Sequence, residues 1–161
     1  MPCFTANINT NGQLLADVWV TDSAQSNEEF QRILADLRPD NLDPPGMKRC
    51  RALLDTGANK SCITERLAKS LDLNIQGAAT ISSVSESVNV NLYRVNIHMP
   101  FPGSVTQREG ALVQNLQLTN WQGVQVFGIA GIDKSHDVLL GIDFIRQGAL
   151  HVSGIQFTFC T

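Results

Sequence analysis

The stretch Arg51-Ala52-Leu53-Leu54-Asp55-Thr56-Gly57-Ala58 places one carboxylate at the end of an apolar strand, on a turn built from a hydroxyl residue and a glycine. A carboxyl group in that setting is held partly out of water, with small neighbours packed beneath it. Such an environment suits two acids that share one proton. The Asp-Thr-Gly run occurs once in the chain, so a second acid of that kind has to come from a second chain.

Two hydrophobic residues precede Asp55 and a small one follows Gly57. About 80 residues later comes a second apolar segment closed by glycine, Val138-Leu139-Leu140-Gly141-Ile142-Asp143-Phe144-Ile145. The pair of segments resembles the retropepsin-like aspartic proteases, the single-lobed, homodimeric relatives of pepsin. The resemblance spans residues 48–160, with its strongest points at the two motifs. It implies an all-β, retropepsin-like acid protease barrel with two or three short helices. Asp55 is then the catalytic residue and Thr56 and Gly57 are its active-site support. Leu139, Leu140 and Gly141 form the second motif, which threads beside the first and opens a short helix.

Length and charge agree with that expectation. At 161 residues, the chain is long enough to bury a core as one domain, residues 1–161, and too short for a two-lobed pepsin. A net charge of -3 without a Lys/Arg cluster argues against nucleic-acid or anionic-membrane partners. No apolar run reaches the roughly 18 residues of a membrane span, and the N-terminus lacks the basic and hydrophobic regions of a signal peptide. A cytoplasmic location is expected.

Cys3, Cys50, Cys62 and Cys160 form no Cys-x-x-Cys pair, and His98, His136 and His151 lie far from them in sequence, so no metal is expected. Free thiols are the expectation for all four cysteines. By the resemblance, the terminal strands build a dimer sheet; Cys3 and Cys160 would lie in or near it, where oxidation would alter dimerisation.

Along the chain, Phe4, Ala6 and Ile8 alternate with polar residues, and a turn signal at residues 9–12 leads to apolar residues 14–20, which predicts a hairpin. Ser26 and Glu29 have capping-box spacing, and Phe30, Ile33, Leu34 and Leu37 recur at helical intervals. This helix and the Pro-rich loop after it make an insertion at about residues 22–47 relative to the compact family pattern. It is read either as a lid or docking element or as a helix that covers the barrel, and the four-residue stripe favours the second.

Residues 61–64 read as a short strand and 65–71 as a helix. Residues 75–99 alternate in two phases that switch near Tyr93-Arg94, which predicts a bulge or bend. Pro100-Phe101-Pro102-Gly103-Ser104 reads as a turn, residues 111–118 and 124–129 as two strands, 142–147 as a helix and 155–159 as a terminal strand.

Between the half-buried strands of residues 75–99 lies Ser82-Ser83-Val84-Ser85-Glu86-Ser87, where the family keeps its flap. A flap opens to admit a peptide and closes to supply backbone hydrogen bonds. The resemblance therefore makes Ala58, Asn59, Ser83, Val84 and Ser85 the substrate-binding residues. The substrate is an extended peptide bound as an added strand, with apolar residues near 81–92 and 138–142 lining subsites. No cofactor is required.

Two departures from the retroviral pattern point to a non-retroviral branch. Retroviral enzymes commonly carry an Asp where this chain has Asn59, paired with an Arg after the second-motif glycine, where this chain has Ile142. Asp143 is left to bond backbone or Lys60, or to serve as a helix N-terminal acid. The reading is an aspartic endopeptidase with an Asp55/Asp55' dyad at a homodimer interface. The rivals are an inert dimeric peptide-binding module on the same fold, a hydrolase using Cys62 or a serine with a histidine, and Asp55 as a plain turn residue.

Overall fold

Alternating apolar residues near both termini find each other across the full length of the chain. The structure, a computed structural model, describes residues 2–37, 41–82, 85–108, 110–131 and 135–161; for residues 102–108 and 111–117 it describes the backbone alone. Strand β1 (Cys3–Asn7) lies antiparallel on β10 (Gln156–Cys160), which pairs on its other side with β9 (Ala149–Ser153). Phe4, Phe159 and Leu150 stand side by side on the inner face, as do Ala6 and Phe157. The Phe4 ring meets Phe157 edge-on at 5.7 Å and Phe101 at 6.0 Å.

The remaining strands close on themselves. β2 (Leu15–Asp22), β3 (Met47–Leu54), β8 (Val138–Leu140), β4 (Cys62–Thr64), β7 (Ala111–Ile129) and β6 (Ser87–Arg108) pair in that order, and β6 returns to β2, giving a closed six-stranded barrel. β5 (Gly77–Ser82) hangs on β6 as a hairpin. Closure removes the unpaired edges of an open sheet. Val18, Val20, Ala52, Leu54, Ile63, Ile97, Val138 and Leu140 fill the interior. Helices are α1 (Asn27–Asp36), α2 (Glu65–Ser70) and α3 (Ile142–Ile145).

The helix expected from residues 26–37 forms, and its capping box is present: Ser26 Oγ accepts from Glu29 N, and Glu29 Oε2 accepts from Ser26 N. Its Phe30 and Ile33 cover Trp19 and Met47 on the outside of the barrel. Burying two such side chains stabilises by about 1.5–3 kcal/mol each. The stripe therefore has a packing task.

His98 joins this layer to the barrel. It stacks on Phe30 at 4.5 Å. Its Nδ1 bonds Asn120 Oδ1 at 2.6 Å and its Nε2 meets the Thr21 hydroxyl at 2.9 Å. Burial holds its pKa below the ordinary histidine value, with the Asn120 bond opposing. The unfolded chain then binds a proton at His98 more readily than the folded one, so this contribution to stability is full above the ordinary value and is lost as pH falls through the folded one. His98→Gln should flatten the fall of urea stability between pH 7 and 5; an unchanged slope would assign that fall to other groups.

Several expectations are corrected. Residues 3–7 and 15–22 do not form a hairpin, because Asn9 folds residues 9–13 into a local loop, with its Oδ1 accepting from Asn11 N and Gln13 N, and the two strands leave for different sheets. The turn expected at 100–104 is absent. β6 runs through it, with Pro100 opposite Leu118 and a register shift between Pro102 and Val105, and a bulge is where a strand tolerates proline. Residues 111–118 and 124–129 belong to one strand. The predicted phase switch is a register shift between Val95 and Ile97. It is held by Asn96, which donates to Asp22 O and accepts from Gly123 N.

The cysteine expectation divides. Cys50 and Cys62 are free, whereas Cys3 and Cys160 form a disulfide. Strand register is the cause, since it sets these two residues directly opposite each other. Among the described residues no helix is long and apolar enough to cross a membrane.

Candidate active site

Asp55 stands at the end of β3, where the barrel strand stops and the chain must turn. Leu53 and Leu54 lie parallel to Leu139 and Leu140. The ladder continues one step further, from Asp55 N to Leu140 O at 2.9 Å. The two motifs, far apart in sequence, are adjacent strands. Beyond Asp55 the chain folds back tightly: Gly57 N donates to Asp55 Oδ1 at 2.8 Å and Ala58 N to Asp55 O at 3.3 Å. One carboxylate oxygen is thus fixed by a backbone donor. Asp55 and Ala58 are half-buried, while Thr56, Gly57, Asn59 and Lys60 are exposed.

The second motif clamps this turn from below. Ile142 N donates to Ala58 O at 2.8 Å. Ser61, fully buried, accepts from Gly141 N at 3.0 Å and donates through Oγ to Asp143 Oδ1 at 2.8 Å; its own N donates to Asp143 Oδ2 at 3.1 Å. Asp143 also accepts from Phe144 N. Asp143 therefore takes the backbone role left open by the sequence and also sits in the first turn of α3. Among the described residues, no ion pair joins it to Lys60. Sequence reasoning did not single out Ser61. Its only signal was a small hydroxyl residue just before a short apolar strand.

A carboxylate holding three donors is expensive to remove, because each donor is left unpaired in a partly buried place. Asp143→Ala should cost about 2–4 kcal/mol in urea unfolding, and Asp143→Asn, which keeps one acceptor oxygen, less. Equal losses would mean that the carboxylate merely fills space.

Of the remaining expected site residues, Ser85 is exposed in the connection between β5 and β6, and Ser83 and Val84 lie outside the described residues. The hairpin itself is present, with Ser82 opposite Ser87 and their hydroxyls 3.0 Å apart. Ile81, Val88, Val90 and Ile129 line a cavity of about 290 Å³ beneath it. The apolar lining expected from residues 138–142 needs correction: Val138 and Leu140 face the core, because alternation on β8 puts them inside, and Leu139 and Ile142 are left outward. Ile142 is 39% exposed.

Cys62 is the nearest thiol to the turn, and its Sγ–H donates to Lys60 O at 3.6 Å. Burial, then the Asp143 charge, pushes its pKa up to about 11. Cys50 is pushed up to about 12 by burial and then by Asp137. The reactive species is the thiolate, so neither thiol is poised as a nucleophile at neutral pH. Alkylation of Cys62 by iodoacetamide should be slow at pH 8 and still accelerating at pH 10; a rate that levels off near pH 8 would contradict this. Among the described residues, no group of three or more His, Cys, Asp or Glu side chains is placed to hold a metal ion.

The sequence model of the aspartyl protease family matches residues 45–144, the stretch that contains both motifs and the clamp between them. The chain belongs to the aspartyl protease family. Its fold is retropepsin-like: it is similar to the crystal structure of a retropepsin-like aspartic protease from Rickettsia conorii, with a TM-score of 0.53 over 98% of this chain and 89% of that one. The two sequences are 9% identical, so the likeness is one of fold. No curated protein matches the sequence.

Proposed function

We propose that the protein is an aspartic endopeptidase that works as a homodimer, with Asp55 of each copy contributing half of a catalytic dyad. The observation that carries this is Asp55 itself, half-buried on a turn at the barrel end with one carboxylate oxygen fixed by Gly57 N. Family membership supports the proteolytic class. The same reading takes residues 1–161 as one retropepsin-like unit with an insertion at about 22–47, in a cytoplasmic setting.

Two Asp55 carboxyls facing each other across a two-fold axis cannot both ionise, and the pair holds one proton. A water lies between them. The ionised carboxylate takes a proton from this water as its oxygen attacks the peptide carbonyl carbon, while the protonated partner donates to the carbonyl oxygen. The tetrahedral intermediate then collapses by breaking the C–N bond, with a proton passed to the leaving amine. No covalent enzyme adduct forms. Thr56, exposed in the single chain, would bond across the dimer axis, and Gly57 would let the peptide backbone approach. The peptide lies as an added strand between Ala58-Asn59 and the hairpin that carries Ser83, Val84 and Ser85.

The test is cleavage of an unbiased peptide library between pH 4 and 7 by wild type and Asp55→Asn, with mass measured alongside. Cleavage in a dimer-sized species, lost in the variant, is the expected result. A dimer that binds peptides and cuts none would make the protein a peptide-binding module instead.

A further inference from the structure

The terminal sheet is closed within one chain. β10 has β1 on one side and β9 on the other, so both rows of its backbone groups are taken. Thr161 N donates to Pro2 O at 3.0 Å and Ile8 N to Ile155 O at 2.8 Å, which fixes the phase of the β1–β10 ladder. Residues 2, 4, 6 and 8 then lie in hydrogen-bonded pairs, and residues 3, 5 and 7 in the closer, non-hydrogen-bonded ones. Cys3 and Cys160 form such a close pair, with Cα atoms 4.1 Å apart and a disulfide across them. Thr5 and Thr158, the next pair on that face, share a hydroxyl hydrogen bond of 2.8 Å.

We propose that the Cys3–Cys160 cystine is a redox lock on subunit assembly: formed within one chain, it holds β1 on its own β10 and keeps the chain apart from a second copy, and its reduction frees β1 for exchange with that copy. The inference rests on the reading that a second copy supplies the second Asp55.

Three observations lead to it. While β10 is paired on both sides, the sheet offers a partner only the outer edges of β1 and β9. An exchanged β1 would meet the partner's β10 in the same register, so Phe4 and Thr5 would regain the contacts they had, and closed and exchanged forms differ little in energy. The loop that has to open, residues 9–13, is held by hydrogen bonds among its own residues: Asn9 N to Gln13 O, Gly12 N to Asn9 O, and the Asn9 side chain to Asn11 and Gln13. One covalent bond between the strands then decides the outcome.

The chemistry is thiol–disulfide exchange with a small-molecule disulfide. One cysteine thiolate attacks it and expels a small thiolate. The second cysteine attacks the mixed disulfide and expels the other. Two protein thiols and one small disulfide thus become one cystine and two small thiols, and an excess of small thiol drives the reverse.

The test compares the protein equilibrated with oxidised glutathione and with dithiothreitol, by sedimentation, non-reducing electrophoresis and peptide cleavage. The oxidised protein should have the mass of one chain, run as one chain and fail to cleave. The reduced protein should double in mass and cleave. Cys3→Ser and, separately, Cys160→Ser should be dimeric in both conditions; two variants guard against one that fails to fold. Equal mass in both conditions for wild type, a cystine joining two chains, or single-cysteine variants that stay monomeric would each overturn the lock. A change of mass without cleavage in either state leaves the lock standing and removes the protease reading.

Discussion

Asp55→Asn is expected to lower peptide cleavage by about 10⁴-fold, near the upper end of what a positioned acid–base group contributes. The fold should survive, because an amide oxygen can still accept from Gly57 N as the carboxylate Oδ1 does. What is lost, on the proposed mechanism, is the group that removes a proton from water. A dyad shared between chains makes a sharper prediction. When wild-type and Asp55→Asn chains are refolded together in equal amounts, half of the dimers are mixed and about a quarter keep both aspartates. Activity per chain should then fall to about a quarter of the wild-type value, whereas catalysis by independent chains would leave half. The dyad also demands a bell-shaped pH profile, since one carboxyl has to be ionised and the other protonated. A value of one half in the mixing experiment would remove the shared dyad and leave the family assignment untouched.

The parts of this site that were legible in the sequence are those with a local cause. Asp55-Thr56-Gly57 and Leu139-Leu140-Gly141 show themselves because an apolar run that ends in glycine is visible at short range, and the structure sets them side by side. The capping box of α1 is equally local. Ser61 and Asp143 are 82 residues apart, and a hydroxyl meeting a carboxylate has no period or spacing that would announce it. The terminal strands illustrate a different gap. Alternation in residues 4–8 identifies a strand but is silent on its partner, and the nearby turn signal favoured β2 over the more distant β10 that the strand takes. The resemblance puts Cys3 and Cys160 in or near a sheet of terminal strands, but without the register of β1 on its own β10 their direct opposition was not legible. At Pro100-Phe101-Pro102-Gly103 the composition is that of a turn, and the ladder to β7 overrides it through a bulge. Tertiary pairing outweighs local preference at that position.

Gly141→Ala should be a strongly damaging conservative change, and its cause is space. Backbone angles there, φ -82° and ψ -173°, suit any residue. A methyl group on Gly141 would come within 2.7 Å of Ala58 O, 2.8 Å of Lys60 C and 3.0 Å of Lys60 O, all backbone atoms that cannot swing aside. Room can come only from moving residues 58–60 outward, which strains the Ile142 N to Ala58 O bond and shifts the turn that carries Asp55. Overpacking of this kind costs about 3 kcal/mol, or a fall of about 6–12 °C in Tm for a chain of this size. Cleavage should fall further than stability, by about 100-fold in kcat at a temperature where the variant is fully folded, because displacing a catalytic group by about 1 Å has that effect. Gly77→Ala is the matched control: among the described residues its added methyl meets the end of the Leu92 side chain at 3.6 Å, an ordinary contact, and it should change neither quantity. If Gly141→Ala lowered Tm and kept kcat, the clamp would support the fold without positioning Asp55. If it changed neither, the close packing of the second motif under the Asp55 turn would be wrong.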